Sequence, residues 1–82
     1  MIITYLYKEK DTGQVMVLER DSIKRVERFI YNTDKDCDKK WFTWQKCDFE
    51  TMEEERREWD YMYTITRIPR DQVEKFVFLA TL

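Results

Sequence analysis

Two stretches of this chain hold side chains whose types and spacing could do chemistry. In the first, Asp34, Asp36 and Asp38 alternate with Lys35 and Cys37, and spaced carboxylates of this kind open calcium-binding loops. Such a loop also needs a glycine at its sixth position and an acid at its twelfth. Lys39 and Gln45, followed by Lys46, stand there instead, so the stretch reads as a polar loop and no metal is expected. Cys37 and Cys47 are ten positions apart, a spacing that fits neither a C-x-x-C pair nor a disulfide-dense scaffold. Two reduced thiols in a cytoplasmic protein are the expectation. Cys37 lies between two aspartates, whose charge opposes a reactive thiolate, and Cys47 reads as a small core or interface residue.

The second stretch is acidic. Residues 48–60 contain seven acids, Asp48, Glu50, Glu53, Glu54, Glu55, Glu58 and Asp60, against Arg56 and Arg57. Residues 32–60 hold six basic and ten acidic side chains, whereas residues 1–31 hold six and five. The net charge of −2 is therefore an average over a balanced body and an acidic middle. Such a cluster repels nucleic-acid phosphate, because duplex affinity comes from Lys and Arg that release counterions. It could instead mimic an anion and occupy a basic groove on another protein. The simpler reading is a solvated face with local Glu–Arg pairs. The 82-residue chain has no histidine, which removes Ser-His-Asp triads, Cys-His dyads and His-ligated zinc. Neither an enzyme nor a cofactor is expected.

Strands and helices must position these residues. Residues 2–8 and 14–19 are rich in β-branched and aromatic types, so the start of the chain reads as a strand and not as a signal peptide. Asp11-Thr12-Gly13 suits a three-residue hairpin loop with the only glycine left-handed. Ile23, Val26, Phe29 and Ile30 recur at helical spacing, which predicts a helix over residues 21–30 with Asp21 or Ser22 as its cap. Residues 40–49 and 59–68 read as two more strands. Residues 50–58 between them suit a long hairpin tip or one to three turns of exposed helix. After Pro69, Asp71 and Glu74 have the form of a capping box, and Val73, Phe76, Val77 and Ala80 form the inner stripe of a terminal helix. Residues 20–26 also match residues 70–76 by type at an offset of 50. The expected fold is thus α+β: one domain, residues 1–82, made of two ββα units (1–31 and 40–82), with a four-stranded antiparallel sheet and both helices on one face.

Pairing across the three-residue loop would put Leu6, Met16 and Leu18 on one face, and Tyr5, Tyr7, Val15 and Val17 on the other. Both faces come out apolar. A sheet covered on one side should alternate apolar with polar, so the surplus aromatics predict a contact surface where they are not simply buried. The leading expectation is a small cytoplasmic, non-enzymatic regulator or inhibitor that binds another protein. Trp41, Trp44, Asp48, Glu50, Glu53, Glu54, Glu55, Glu58, Trp59 and Tyr61 would form its contact surface, an aromatic centre with a charged rim. Phage and mobile-element inhibitors of the anti-CRISPR type, which block nucleic-acid-handling enzymes, share this size and charge. Two alternatives stand beside it: a single-stranded nucleic-acid module stacking bases on Tyr5, Tyr7, Trp44 and Tyr63, and a structural homodimer subunit. No membrane partner is expected.

Overall fold

A computed structural model of the chain describes residues 1–34, 36–46 and 61–82. Five strands, β1 (Ile2–Glu9), β2 (Val15–Asp21), β3 (Val26–Asn32), β4 (Gln45–Lys46) and β5 (Tyr63–Ile68), form one antiparallel sheet in the order β4-β3-β2-β1-β5. After Pro69 a 3-10 turn, Arg70–Gln72, runs into the helix α1, Val73–Thr81. The fold is α+β as expected; among the described residues it has a five-stranded sheet and a C-terminal helix, where four strands and two helices were expected. No helix among the described residues is long and apolar enough to cross a membrane.

The first hairpin forms from the expected strands, but with a different register. Glu9 N–H donates to Gln14 O at 2.8 Å, and Gly13 N–H donates to Glu9 O at 2.9 Å. The loop is therefore residues 10–13, one longer than a three-residue loop. Gly13 takes the left-handed conformation, with φ 72°. A shift of one residue moves every side chain of one strand to the other face relative to its partner. Leu6 lies opposite Val17, Tyr7 opposite Met16 and Tyr5 opposite Leu18. The faces are accordingly Leu6, Val15 and Val17 on one side, and Tyr5, Tyr7, Met16 and Leu18 on the other.

The helix expected over residues 21–30 is instead a turn and a strand. Asp21 caps no helix; its Oδ1 closes the turn after β2 by accepting from the N–H groups of Ile23 (3.0 Å) and Lys24 (3.1 Å). Arg25, with φ 54°, then enters the left-handed region and breaks the turn, and the chain reverses into β3. The helical spacing arises because β3 is apolar on both faces: Ile30 packs under α1 and Phe29 on the opposite side of the sheet. Val17 pairs with Tyr31 but Leu18 with Phe29, so Ile30 is an extra residue that interrupts the period-two pattern of β3. Ile23, which a helix would have buried, stands 81% exposed.

Among the described residues of 40–49 and 59–68 no second hairpin forms. Lys39–Phe42 is a 3-10 turn, and among the described residues Gln45–Lys46 extends as β4, pairing with Val26 and Glu27 of β3. β5 pairs with β1 over Thr4↔Ile68 to Glu9↔Tyr63, at the other edge of the sheet. The offset-50 match is therefore not structural. Arg20 and Asp21 end a strand, whereas Arg70 and Asp71 open a 3-10 turn. The Asp71–Glu74 capping box does not form either: α1 is entered through Gln72, whose N–H donates to Pro69 O at 3.0 Å, without a side-chain cap.

Both faces of the sheet carry a core. Under α1, Leu6, Val15, Val17 and Ile68 are buried against Val73, Phe76, Val77 and Ala80, the expected inner stripe, with Ile30 and Tyr31 from β3. On the opposite face Tyr7, Met16 and Leu18 are buried among Tyr5, Phe29, Tyr63 and Ile65. Part of the aromatic surplus is thus absorbed by this second core, where Tyr7 and Tyr63 meet edge to face at 6.2 Å.

Candidate interaction surface

Three exposed aromatics, Trp41, Phe42 and Trp44, lie together in sequence at the edge where β3 meets β4. Asp38 starts the 3-10 turn by accepting from Lys40 N–H at 3.0 Å. Lys40 O then accepts from Thr43 Oγ1 and Gln45 Nε2, each at 2.7 Å, and Gln45 Nε2 also donates to Thr43 Oγ1 at 2.9 Å. This web of short-range bonds explains why a β-prone run, Trp41-Phe42-Thr43-Trp44, folds as a turn: local side-chain partners satisfy the backbone before a strand can.

The turn leans on Phe29 of β3, whose ring lies 6.1 Å from Trp41 and 6.5 Å from Phe42. Trp41, Phe42 and Trp44 nevertheless remain 47%, 37% and 39% exposed. Lys39, Lys40 and Lys46 are exposed around them. The result is three half-open aromatic rings on a segment that also exposes Asp36 and Asp38.

Arg28 ties this corner to the sheet. Its guanidinium lies 4.7 Å over the Trp44 ring, a cation–π contact, while Nε and Nη2 both reach Glu19 Oε1 at 2.9 Å. Glu19 is 1% exposed, and its Oε2 lies 2.6 Å from Arg70 Nε at the approach to α1. The Arg70 pair is a charge contact rather than an aligned hydrogen bond. One buried carboxylate thereby links the sheet, the aromatic turn and the start of the helix. The three residues stand at the end of an open groove between β3 and α1, lined by Tyr31, Val73, Val77 and Phe78.

The expected site residues are not all brought together. Trp41 and Trp44 share the β3–β4 corner. Tyr61, 86% exposed, precedes β5 at the opposite edge, beside Lys10 and the hairpin loop, because Lys10 N–H donates to Met62 O at 2.8 Å. It cannot share a surface with the two tryptophans, since strand order separates the edges and register separates the ends. Asp48, Glu50, Glu53, Glu54, Glu55, Glu58 and Trp59 lie outside the described residues, as do Cys47 and the reading of residues 50–58 as helix or hairpin tip.

Of the rings expected to stack bases, Tyr7 is 1% exposed, Tyr5 and Tyr63 are half-buried in the second core, and Trp44 is 39% exposed at the far edge. Sequence reasoning also passed over Phe42, Lys39, Lys40 and Lys46 as site residues, although the run Lys39-Lys40-Trp41-Phe42-Thr43-Trp44-Gln45-Lys46 was visible. The Glu19–Arg28–Arg70 link had no signal to find, because it depends on the β2–β3 register.

The aspartate loop is built from short-range turns: Asn32 Oδ1 accepts from Asp34 N–H at 2.8 Å, and Asp34 Oδ1 from Asp36 N–H at 2.9 Å. Among the described residues no group of three His, Cys, Asp or Glu side chains converges to hold a metal ion. Cys37 is a half-buried free thiol. Searches of protein-family models, curated proteins and solved structures match nothing to this chain.

Proposed function

We propose that the protein is a small non-catalytic binding protein that acts by occupying a partner protein, with Trp41, Phe42 and Trp44 at the centre of the contact. The observation that carries this reading is the exposure of those three rings on a turn that is internally locked and braced by Phe29 and Arg28. Large rings held rigidly lose little conformational entropy on binding, and Trp is enriched among the residues that dominate interface energetics. The acid-rich segment of residues 48–60 follows the turn in sequence and supplies opposite charge for a basic partner. In its sharper form the reading is an inhibitor that blocks a nucleic-acid-handling enzyme, in the manner of anti-CRISPR proteins, by analogy of size and charge.

A photo-crosslinking amino acid placed at Trp41, with mass spectrometry of the adduct, identifies the partner. Trp41→Ala with Trp44→Ala should abolish capture, and Glu53→Lys, Glu54→Lys and Glu55→Lys together should weaken it, with unfolding midpoints little changed. Capture that survives both sets of changes removes this surface from the account.

Lys39, Lys40 and Lys46 around the rings favour one other reading, a single-stranded nucleic acid stacked on the same turn. Fluorescence anisotropy with mixed single-stranded DNA and RNA separates the two. Binding by that route must weaken as salt rises, and salt-independent or absent binding rejects it.

A further inference from the structure

The sheet has a second edge, far from the aromatic corner and built differently. At the β3–β4 edge, β4 is two residues long and the adjoining 3-10 turn packs on β3. Short strands and packed turns are how sheets blunt an edge. β5 is six residues long, pairs with β1 without a register shift, has no internal proline, and carries one charged side chain, Arg67. Among the described residues no strand pairs with its outer side.

The hydrogen-bond parity of that edge follows from two observed bonds. Lys10 N–H donates to Met62 O, and Glu9 N–H donates to Gln14 O. In an antiparallel ladder the residues facing one neighbour alternate with those facing the other. Even-numbered residues of β5 therefore bond to β1, and the N–H and C=O groups of Ile65 and Arg67 point outward.

Beside this edge lies a groove of about 310 Å3 between β5 and α1. Its floor is Thr64, Thr66 and Leu6, and its wall is Phe76, Ala80 and Leu79, the last 52% exposed. Lys8, exposed, is the one charged side chain among the described residues that line it.

We infer that the outer edge of β5 and this groove form a second docking site, which takes an extended peptide as a sixth strand. Side chains of a strand point alternately to the two faces. An added strand would therefore place every second side chain over the groove. The groove walls select apolar side chains there, and Lys8 selects an acidic residue next to them. Main-chain pairing supplies the affinity and the groove the specificity, the general scheme of strand addition. A second copy of this chain fits less well, because its own β5 would bring Thr64, Thr66 and Arg67 and no acid to meet Lys8.

The test is a library of immobilised peptides in which Val, Leu, Ile or Phe alternates with Thr and one position is Glu, Gln or Lys. The full chain should retain members carrying Glu, and amide exchange at Ile65 and Arg67 should slow when they bind. Leu79→Asp, at an exposed position, should weaken binding about tenfold or more, since it sets a charge against the apolar side chain. Lys8→Glu should reverse the preference to Lys-bearing members. Trp41→Ala should leave binding unchanged, which separates this site from the aromatic corner. Retention of no member, retention indifferent to Leu79→Asp, or a concentration-dependent dimer that slows the same amides without peptide would each overturn the inference.

Discussion

Replacing Glu19 by Gln keeps its shape and removes its charge from between Arg28 and Arg70. Glu19 is 1% exposed, and its two oxygens serve the two guanidinium groups at 2.9 Å and 2.6 Å. Breaking a fully buried ion pair costs about 3–5 kcal/mol, mostly from the charge left behind. Arg28 and Arg70 are 31% and 57% exposed at the side chain, so water recovers part of that cost, and about 2–3 kcal/mol remains. Unfolding entropy of about 2.1 cal/mol/K per residue gives about 0.17 kcal/mol/K for the 82-residue chain. The expected fall in melting temperature is roughly 12–17 °C. Differential scanning calorimetry at neutral pH measures it. Arg70→Gln, at the more exposed partner, should lower the midpoint by no more than about 6 °C, corresponding to about 1 kcal/mol. A Glu19→Gln midpoint within about 3 °C of the parent would refute the argument, since the charge link would then contribute less than about 0.5 kcal/mol.

Three further outcomes follow from the backbone and from titration. Arg25 has φ 54°, so Arg25→Val should destabilise by about 1–2 kcal/mol in urea titration while Arg25→Asn is tolerated, because a β-branched side chain suits the left-handed region worst. Gly13→Ala should cost about 1 kcal/mol through φ alone, since a Cβ there meets nothing within 4 Å; a larger loss would point to packing that the hairpin loop does not show. The N–H of Lys24, with that of Ile23 and the nearby N-terminal amine, holds the Asp21 carboxyl below its ordinary 3.8. A depressed folded-state pKa contributes stability that is present above the ordinary value and lost as pH falls through the lowered one. The stability advantage of the parent over Asp21→Asn should therefore shrink below about pH 4, and a difference constant from pH 7 to pH 2 would remove the titration from the account.

Local features were legible where a single segment determines its own structure. The β-branched and aromatic runs of β1 and β2, the left-handed Gly13 and the inner stripe Val73, Phe76, Val77 and Ala80 all stand as the residue types imply. The exposure of Trp41 and Trp44 was anticipated from an aromatic content larger than one core face requires, although a second core takes Tyr5, Tyr7 and Tyr63 from the same surplus. The helix over residues 21–30 failed for a physical reason. Phe29 and Ile30 pack on opposite faces of β3, so a strand apolar on both sides takes the spacing of a helix, and nothing within the segment distinguishes the two.

What the sequence by itself determined is the class of the protein: α+β, with strands at its beginning and a helix at its end, and with aromatic rings beyond what one buried face can hold. The tertiary structure decided everything that depends on which strand lies beside which. One residue in the hairpin loop sets which side chains lie under α1, because strand faces alternate with period two. The choice of β1 as the partner of β5 places Tyr61 at the opposite edge from Trp41 and Trp44 and, among the described residues, leaves no strand on the outer side of β5. The same non-local pairing brings Glu19, Arg28 and Arg70 together from β2, β3 and the start of the terminal helix. Such contacts are fixed by register across the whole sheet, and local residue preferences carry no record of them.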